Sequence, residues 1–600
     1  MNAEDVIRMI EDNGKVENTS LSNIDLSGSI LRKAIFENVA FERVNISRCD
    51  FTDSAFISCT ISNSVLEESV FLNSLMRGII IVNSNCNNSV FKGAELSESM
   101  FISDNIAVTD PAKAITKIEE MNLPSGDLEV LRASGIAGLA KGIITAVNTD
   151  FSNSKLTGSS FENVSLNNAL FLNADLSLSS MENCSMQNVK FDKALLKNAV
   201  FIRCDLSSAS FKESGLDGTE ISFAAVDDKT DLSRAIFKET KFNNINFALL
   251  KNKFPADLSF CQFNKCNLNG LDLSNRNLSN SEFTESILEN CSFEKSILEN
   301  TMFKSAVLKA INLAGIDLSG ADFSDSDLEG ARFSETRIEG ADFSEANLRY
   351  SDFKKALLKN TILLDADLRD ADFSETVLDY CELKGSLIDR LNLSSSRISS
   401  TDFQGVDLTK TLIKNTSFTM CNLKKTNLKK TDLSRCNFTD SDLAEADLEM
   451  SNLNFANCTQ VKFKKAVLTG CTLKNSICKT ADFTESNLDG ADFSDSDLMF
   501  SCFSNASLKK TNFSSAKLDR TEFTNADCTE AAFRYSDMPF SVFSHAILAK
   551  ADFSSSDLTQ AVLHRIDDRF TVWNNSNRKR VEFTDKDLAE AEDWVPPKAE

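Results

Sequence analysis

The chain has 600 residues and a formal net charge of -24 at pH 7, from 64 basic and 88 acidic side chains. This acidity disfavours direct binding to nucleic-acid phosphates. The sequence contains no run of about 18 uncharged apolar residues, so no membrane-spanning helix is predicted. Phe occurs 45 times, whereas Pro occurs 6 times and His twice. So skewed a composition indicates one structural rule applied many times, and an internal repeat is expected.

Residues 1–15 are predicted to form a short helix. The segment EDVIRMIED places Val6, Met9 and Ile10 on one helical face. Its first turn is acidic and no long apolar core follows, which argues against a secretory signal. We expect this helix to cover the apolar end of a repeat array, as terminal caps do; a partner-binding arm is the alternative.

A five-residue period begins directly after this helix. Apolar residues fall on numbers ending in 1 and 6 from Leu21 to Ile106, and again from Phe151 to Ile221. A period of five fits neither an α-helix nor a β-strand. The backbone must therefore return to the same orientation every five residues. These stretches define two predicted blocks, 16–106 and 151–223.

Residues 107–150 separate the two blocks and are predicted to form a helical hairpin. Pro111 suits a helix start, LPSG breaks the helix, and DLEVLRASGIAGLAKGIITAV predicts a second one. Packing of its apolar residues against the side of the repeat array or between two blocks of it is the simplest expectation, with dimerisation and membrane-surface contact as alternatives. Because the repeat does not require this segment, we take it as the candidate interaction element, with the residues Leu128, Leu131, Ile136, Leu139, Ile143 and Ile144.

Residues 224–257 are predicted to form irregular coils. The period slips by one residue around VDDKTD and again around KNKFPAD. An extra residue in a repeating coil produces a loop or bulge. We expect a kink or a protruding loop in this region.

Residues 258–563 form the longest predicted block. Every residue whose number ends in 3 or 8 is apolar from Leu258 to Leu563, mostly Leu or Phe. We call these positions centres. The unit around each centre is A-[D/N]-[L/F]-[S/T]-x, in which the small residue and the centre should point inward. Four units can close one square coil of about twenty residues. The 99 centres of all the blocks together then give roughly 25 coils, which at a spacing of about 4.8 Å make a rod up to about 120 Å long.

Residues 564–600 depart from the period. They are predicted to form a degenerate last coil and a short helix that ends at Pro596 and Pro597. We expect Trp573 and Trp594 to shield this end of the array, as a second cap.

The segments ADFSDSDLEG, ADFSEANLRY and ADFTESNLDG resemble the pentapeptide-repeat family. The resemblance covers over four fifths of the chain. It implies an all-β solenoid, specifically a right-handed quadrilateral β-helix, here with a helical insertion and helical caps. It implies little about activity, because the family is functionally mixed.

The cysteines and histidines do not indicate a catalytic, cofactor or metal site. Fifteen of the 16 cysteines fall on the small inward position or on a centre, which predicts buried thiols, and Cys502 alone falls on an outward position. Unpaired thiols suit a reducing compartment such as the cytoplasm. No metal-ligand pattern surrounds His545 or His564 in the sequence, so no metal or cofactor is predicted.

The sequence favours a non-enzymatic scaffold that binds an unidentified protein partner through its faces and the 107–150 segment. The resemblance adds two alternatives. Some family members resemble B-form DNA and bind DNA gyrase or topoisomerase IV, but basic patches such as LKKTNLKKTDL dilute the acidity here. Others are delivered into host cells as bacterial effectors. Mixed charge along the faces would favour the scaffold, and one continuous acidic face would favour DNA mimicry.

Overall fold

The computed structural model describes residues 1–103, 144–250 and 253–594. The chain divides into two units, Met1–Ile311 and Asn312–Glu600. Each is a parallel β-solenoid in which coils of four short sides stack on one another. The predicted fold class is therefore confirmed.

The first unit opens with helix α1, Ala3–Asn13, and continues with fourteen short strands that pair in parallel. The strands are β1 Lys15–Ser22, β2 Ile35–Glu42, β3 Ala55–Ile57, β4 Thr60–Ser62, β5 Ile80–Val82, β6 Met100–Ile102, β7 Ile144–Thr145, β8 Ser160–Glu162, β9 Val164–Ser165, β10 Ser180–Glu182, β11 Val200–Ile202, β12 Glu220–Ser222, β13 Lys241–Asn243 and β14 Gln262–Asn264.

The second unit has five named strands and ends in helix α2, Lys586–Asp593. The strands are β15 Arg337–Glu339, β16 Leu357–Lys359, β17 Val377–Asp379, β18 Arg397–Ser399 and β19 Ser417–Thr419. Counted by their strands, the solenoid has about 18 turns, fewer than the coils predicted. The difference arises because, beyond residue 419, coils pair through isolated bridges alone, such as Asp482 with Cys502.

The register of the ladder records where the repeat is regular and where it is not. In the second unit each bridge joins residues twenty apart, as in Asp322 with Asp342. In the first unit the spacing is twenty-one for pairs that span a sequence slip, as in Glu220 with Lys241 and Lys241 with Gln262. Each slip therefore adds one residue to a coil and leaves the pairing of the neighbouring strands intact.

The five-residue unit is explained by its hydrogen bonds. The side chain of the Asp or Asn before a centre accepts a hydrogen bond from the backbone N–H of the residue that follows the centre. Around Phe343, for example, Ser344 N donates to Asp342 Oδ1 over 2.8 Å. The next residue has a positive φ, 59° at Glu345, and the N–H of Ala346 then closes a turn onto the carbonyl of Phe343. A positive φ at this place is what a type II turn requires.

The core consists of the centres, stacked in columns. Phe483, Phe503 and Phe523 follow one another at centroid distances of 4.6 and 5.1 Å with nearly parallel rings. A second column alternates with it, and Phe493 meets Phe503 edge to face at 5.9 Å. Stacked and edge-to-face pairs are the geometries that aromatic rings prefer. The Phe centres of this region recur every ten residues, so two of the columns are aromatic.

The two ends of the described chain are covered differently. Asn2 and Asp5 form a capping box on α1, and Val6 of this helix is fully buried. Helix α2 contributes no buried residue. Trp573 stacks on Phe553 at 4.6 Å, as expected, but Trp594 is 68% exposed and does not shield the end. In residues 1–103, 144–250 and 253–594, neither helix has the length and apolarity of a membrane span.

Candidate interaction faces and the C-terminal histidine cluster

The outward positions of the second unit carry ion pairs that join neighbouring coils. A basic residue directly after one centre repeatedly meets the Asp directly before the centre of the next coil. The Nζ–Oδ2 distance is 3.1 Å between Lys474 and Asp492, and 3.3 Å between Lys509 and Asp527. The same register recurs in Lys424–Asp442, Lys429–Asp447, Lys479–Asp497 and Arg534–Asp552.

In two of these pairs, hydrogen bonds within the repeat's own turn and the ion pair together lower the pKa of the carboxylate. Partial burial works to raise the pKa of Asp492, but hydrogen bonds from Ser494 and the Lys474 ammonium outweigh it and lower the pKa. Asp527 is held in the same way by Thr529 and Lys509. An exposed pair of this kind contributes about 0–1 kcal/mol to stability. Its main effect is to place charges of opposite sign side by side on the face.

Several acidic residues depart from this pattern because they are bridged to another acidic residue in the neighbouring coil, as in Asp322 with Asp342 and Asp352 with Asp372. Asp537 and Asp557 stand opposite each other in neighbouring coils, with Asp519 close by. Burial, followed by the charges of these two carboxylates, raises the pKa of Asp537. This pair does not continue into an acidic column, because Asp537 is bridged on its other side to Lys517 and Asp557 to Asn577.

The predicted interaction element 107–150 lies mostly outside the described residues, and so do Leu128, Leu131, Ile136, Leu139 and Ile143. The structure places the sixth residue, Ile144, inside a coil, where it begins β7 and is fully buried. Residues 144–150 therefore belong to the solenoid, and the boundary expected at 150 is wrong. Ile144 cannot serve as an exposed contact.

The ladder also fixes the length added between the two blocks. Met100 pairs with Ser160 and Glu95 bridges to Lys155, both sixty residues on instead of twenty. The excess of forty equals the length of 104–143. Joining Ser103 directly to Ile144 would therefore restore the twenty-residue register.

The slip region forms a loop and a shallow groove in the first unit. At the first slip Asp227 accepts from the backbone N–H groups of Ser208, at 2.7 Å, and of Thr230, at 2.9 Å. Partial burial works to raise the pKa of Asp227, but these hydrogen bonds lower it to about 2. Beside the second slip lies a groove of about 310 Å³, lined by Lys241, Phe260, Gln262, Glu282 and Met302.

The structure brings together the two histidines of the chain. His545 and His564 occupy neighbouring coils, and the backbone N–H of His545 donates to the backbone carbonyl of His564 over 2.8 Å. Each Nε2 lies 3.2 Å from a different carboxylate oxygen of Glu592 in α2. The Arg565 guanidinium lies 3.1 Å from Glu592 and 2.6 Å from Asp593. Hydrogen bonds from His564, and then from His545 and Arg565, lower the pKa of Glu592 against the effect of its burial.

Sequence reasoning missed this cluster. The nineteen-residue spacing of His545 and His564 places them about one coil apart, and that signal was available. Glu592 had no comparable signal, because it lies in the tail where the period has ended. Among the described residues, His545, His564 and Glu592 form the one group whose donor atoms lie close enough together to hold a metal ion.

Two protein-family models match the chain. One, described as a pentapeptide repeat region, matches residues 145–221 and 286–363. The other, described as pentapeptide repeats (8 copies), matches residues 16–48, 256–294 and 526–565, and a series of segments that together cover 351–514. Together the matched residues make up more than half of the chain. No curated protein sequence matches it.

Solved structures with the same type of coil are also similar to the chain. HetL, a pentapeptide repeat protein involved in heterocyst differentiation regulation from the cyanobacterium Nostoc sp. strain PCC 7120, is 21% identical; the match covers 46% of this chain and 91% of HetL, with a TM-score of 0.13. QnrB1, a plasmid-mediated fluoroquinolone resistance protein, is 23% identical over 41% of this chain and 89% of QnrB1, with a TM-score of 0.15. At these TM-scores neither likeness carries an argument about function.

Proposed function

Because the chain belongs to the pentapeptide repeat family, we propose that it is a non-enzymatic scaffold that binds a protein partner. The observation that carries the proposal is the alternation of charge along the faces. Lys474 with Asp492 and Lys509 with Asp527 place both signs next to each other, coil after coil. Such a face selects a partner by complementary pattern rather than by net charge.

The same observation disfavours DNA mimicry. A mimic of duplex DNA needs one sign of charge at high density, about one charge per 1.7 Å. Here basic side chains stand beside many of the acidic ones, and the acidic pair of Asp537 and Asp557 is bounded by Lys517 and Asn577. Inhibition of gyrase supercoiling by micromolar full-length protein would overturn the scaffold in favour of the mimic.

Within this proposal the segment 104–143 supplies specific contacts in addition to the faces. Its residues Leu128, Leu131 and Leu139 are apolar, and an exposed apolar patch rimmed by polar residues marks an interaction site. Dimerisation and membrane-surface contact through the same segment are the competing roles. Light scattering of the full-length protein detects dimerisation, and vesicle flotation detects membrane-surface contact. If the protein dimerises or floats with vesicles and captures no partner in a pull-down, the partner-binding role of this segment is overturned.

The experiment uses the full-length protein as bait in a crosslinked pull-down with mass spectrometry. One variant lacks 104–143, which keeps the twenty-residue register. A second keeps the full length and replaces Leu128, Leu131, Ile136, Leu139 and Ile143 by Ser. A third swaps one ion pair, Lys474→Glu with Asp492→Lys, so that the pair survives with its charges reversed.

We expect the first two variants to lose the partners that the full-length protein captures and the third to capture less of them. Hydrogen exchange of the 523–553 coils, which lie away from the substituted pair, should be unchanged in all three variants, which establishes that they are folded. Recovery of the same partners in the same amounts by all three variants would overturn the proposal.

A further inference from the structure

The histidine cluster joins the C-terminal helix to the last coils. His545 and His564 are the only two histidines among 600 residues, and both direct Nε2 at Glu592. Their rings meet edge to face, with centroids 5.4 Å apart. Helix α2 buries no residue of its own, so polar contacts of this kind are what hold it against the coils.

The geometry of the three donor atoms suits a small tetrahedral ion. One ring nitrogen from each histidine and one carboxylate oxygen all lie within 4.8 Å of one another. Zinc bonds imidazole nitrogen and carboxylate oxygen at about 2.0–2.1 Å, which separates tetrahedral ligands by roughly 3.3 Å. Each Nε2 lies 3.2 Å from an oxygen of Glu592, His545 from Oε1 and His564 from Oε2, so the carboxylate must turn to offer one oxygen to an ion between the two rings. Two nitrogens and one oxygen form a three-ligand zinc set that leaves a fourth position for water.

The exposure of the cluster allows an ion to enter. The His564 side chain is 4% exposed, which fixes one ligand firmly. The side chains of His545 and Glu592 are 35% and 30% exposed, and they form the open side. An ion could therefore be taken up without unfolding the coil.

Two neighbouring groups set the cost of binding. Arg565 touches Glu592, but it also holds Asp593 through two contacts of 2.6 Å, and it stays paired when Glu592 turns to an ion. The Asp585 N–H donates to His564 Nδ1 over 3.2 Å, which assigns the proton of neutral His564 to Nε2. A metal on Nε2 moves that proton to Nδ1, so the Asp585 amide must turn away. Ion binding and the start of α2 are thereby coupled.

We propose that His545, His564 and Glu592 form a binding site for one divalent transition-metal ion of the zinc class, which fastens α2 to the last coils. The role is structural and independent of the scaffold function, because it rests on residues of the C-terminal end alone. Zinc is favoured over magnesium or calcium because imidazole nitrogen supplies two of the three ligands.

The test is a calorimetric titration of Zn²⁺ into reduced, metal-stripped, full-length protein without a polyhistidine tag. We expect one site per chain. His545→Ala and Glu592→Gln should each weaken binding at least about tenfold. Glu590→Gln, an exposed position on the same helix, and Cys502→Ser, the thiol that is not fully buried, are the matched controls and should leave affinity unchanged.

A second measurement separates the site from other binding. Hydrogen exchange of Lys586–Asp593 should slow when Zn²⁺ is added to the wild-type protein and should not respond in His545→Ala. Co²⁺ in place of Zn²⁺ should give an absorption spectrum without thiolate charge transfer. No binding, or binding that His545→Ala and Glu592→Gln leave intact, would overturn the proposal and make the cluster a hydrogen-bonded clasp only.

Discussion

The coils at 483–553 and the slip region at 223–263 are built from the same five-residue repeat, but the number of residues per coil is constant only in the first. In the first region every coil has twenty residues, and Phe503 lies between Phe483 and Phe523 in one column. In the second region coils of twenty-one residues occur. Among the described residues, Phe237 has one aromatic neighbour, Phe242, in a tilted contact at 5.2 Å.

The difference shows which part of the unit can vary. Strand pairing persists across the slip, since Ile221 pairs with Phe242 and Phe242 with Phe263. The extra residue is taken up at a corner, where Asp227 replaces a regular turn with hydrogen bonds to Ser208 and Thr230. The inward positions are therefore fixed by packing, and the corners are free to carry insertions.

The largest expected effect is loss of a ring from a regular column. Phe503→Ala should cost about 3–5 kcal/mol of local stability, because the stacked neighbours on both sides hold the cavity open. Phe237→Ala should cost about 1–2 kcal/mol less, since fewer rigid contacts surround it and the slip region can relax. Hydrogen exchange by mass spectrometry measures the opening free energy of each region separately, which suits an array that does not unfold as one unit.

Leu498→Ala, at a fully buried centre between the Phe columns, is the matched control within the regular region. It should fall between the two Phe variants. Equal losses for Phe503→Ala and Phe237→Ala would contradict the claim that the two regions differ in how tightly their centres are held.

A smaller effect is expected at the corner of the first slip. Asp227→Ala should reduce the local stability of residues 222–231 by about 1–2 kcal/mol, because the N–H groups of Ser208 and Thr230 lose their acceptor. The measurement is hydrogen exchange of that peptide. Asp228→Ala, an exposed neighbour on the same loop, is the control and should have little effect.

Acid should imitate the Asp227 substitution. The folded pKa of Asp227 is lowered to about 2 from an ordinary value of 3.8. Its contribution is therefore present above the unfolded pKa and is lost as pH falls through the folded pKa. Between pH 4 and pH 2 the wild-type loop should open progressively, while the difference between wild type and Asp227→Ala disappears. A constant difference over this range would show that the carboxylate charge is not involved.

Most of the coil structure was predictable because the period leaves no freedom of register. Once Leu258 is assigned as a centre, every later centre, such as Phe323 or Leu498, follows by counting. The inward thiols followed by the same count. The solenoid itself therefore needed no information from distant contacts.

What could not be predicted lies where the count stops. The coil that begins at Ile144 was hidden because its first centre is Ala146, which does not match the Leu or Phe of the rule although it is fully buried. The histidine cluster depends on Glu592, whose position is set by how α2 folds back on the coils. The hydrogen bonds that Asp227 accepts from Ser208 and Thr230 depend on a backbone conformation that the sequence VDDKTD does not specify.

The smallest perturbation gives the most direct test of the central claim, that small residues and centres point inward while the other positions face outward. All 16 cysteines are unpaired; fifteen are buried and Cys502 is partly exposed. Burial also raises the pKa of Cys266 and Cys436 to about 12, which suppresses the reactive thiolate. The measurement is alkylation of the native protein followed by mass spectrometry. We expect Cys502 alone to react rapidly and all 16 to react in denaturant. Rapid native labelling of inward cysteines such as Cys266 and Cys436 would contradict the account.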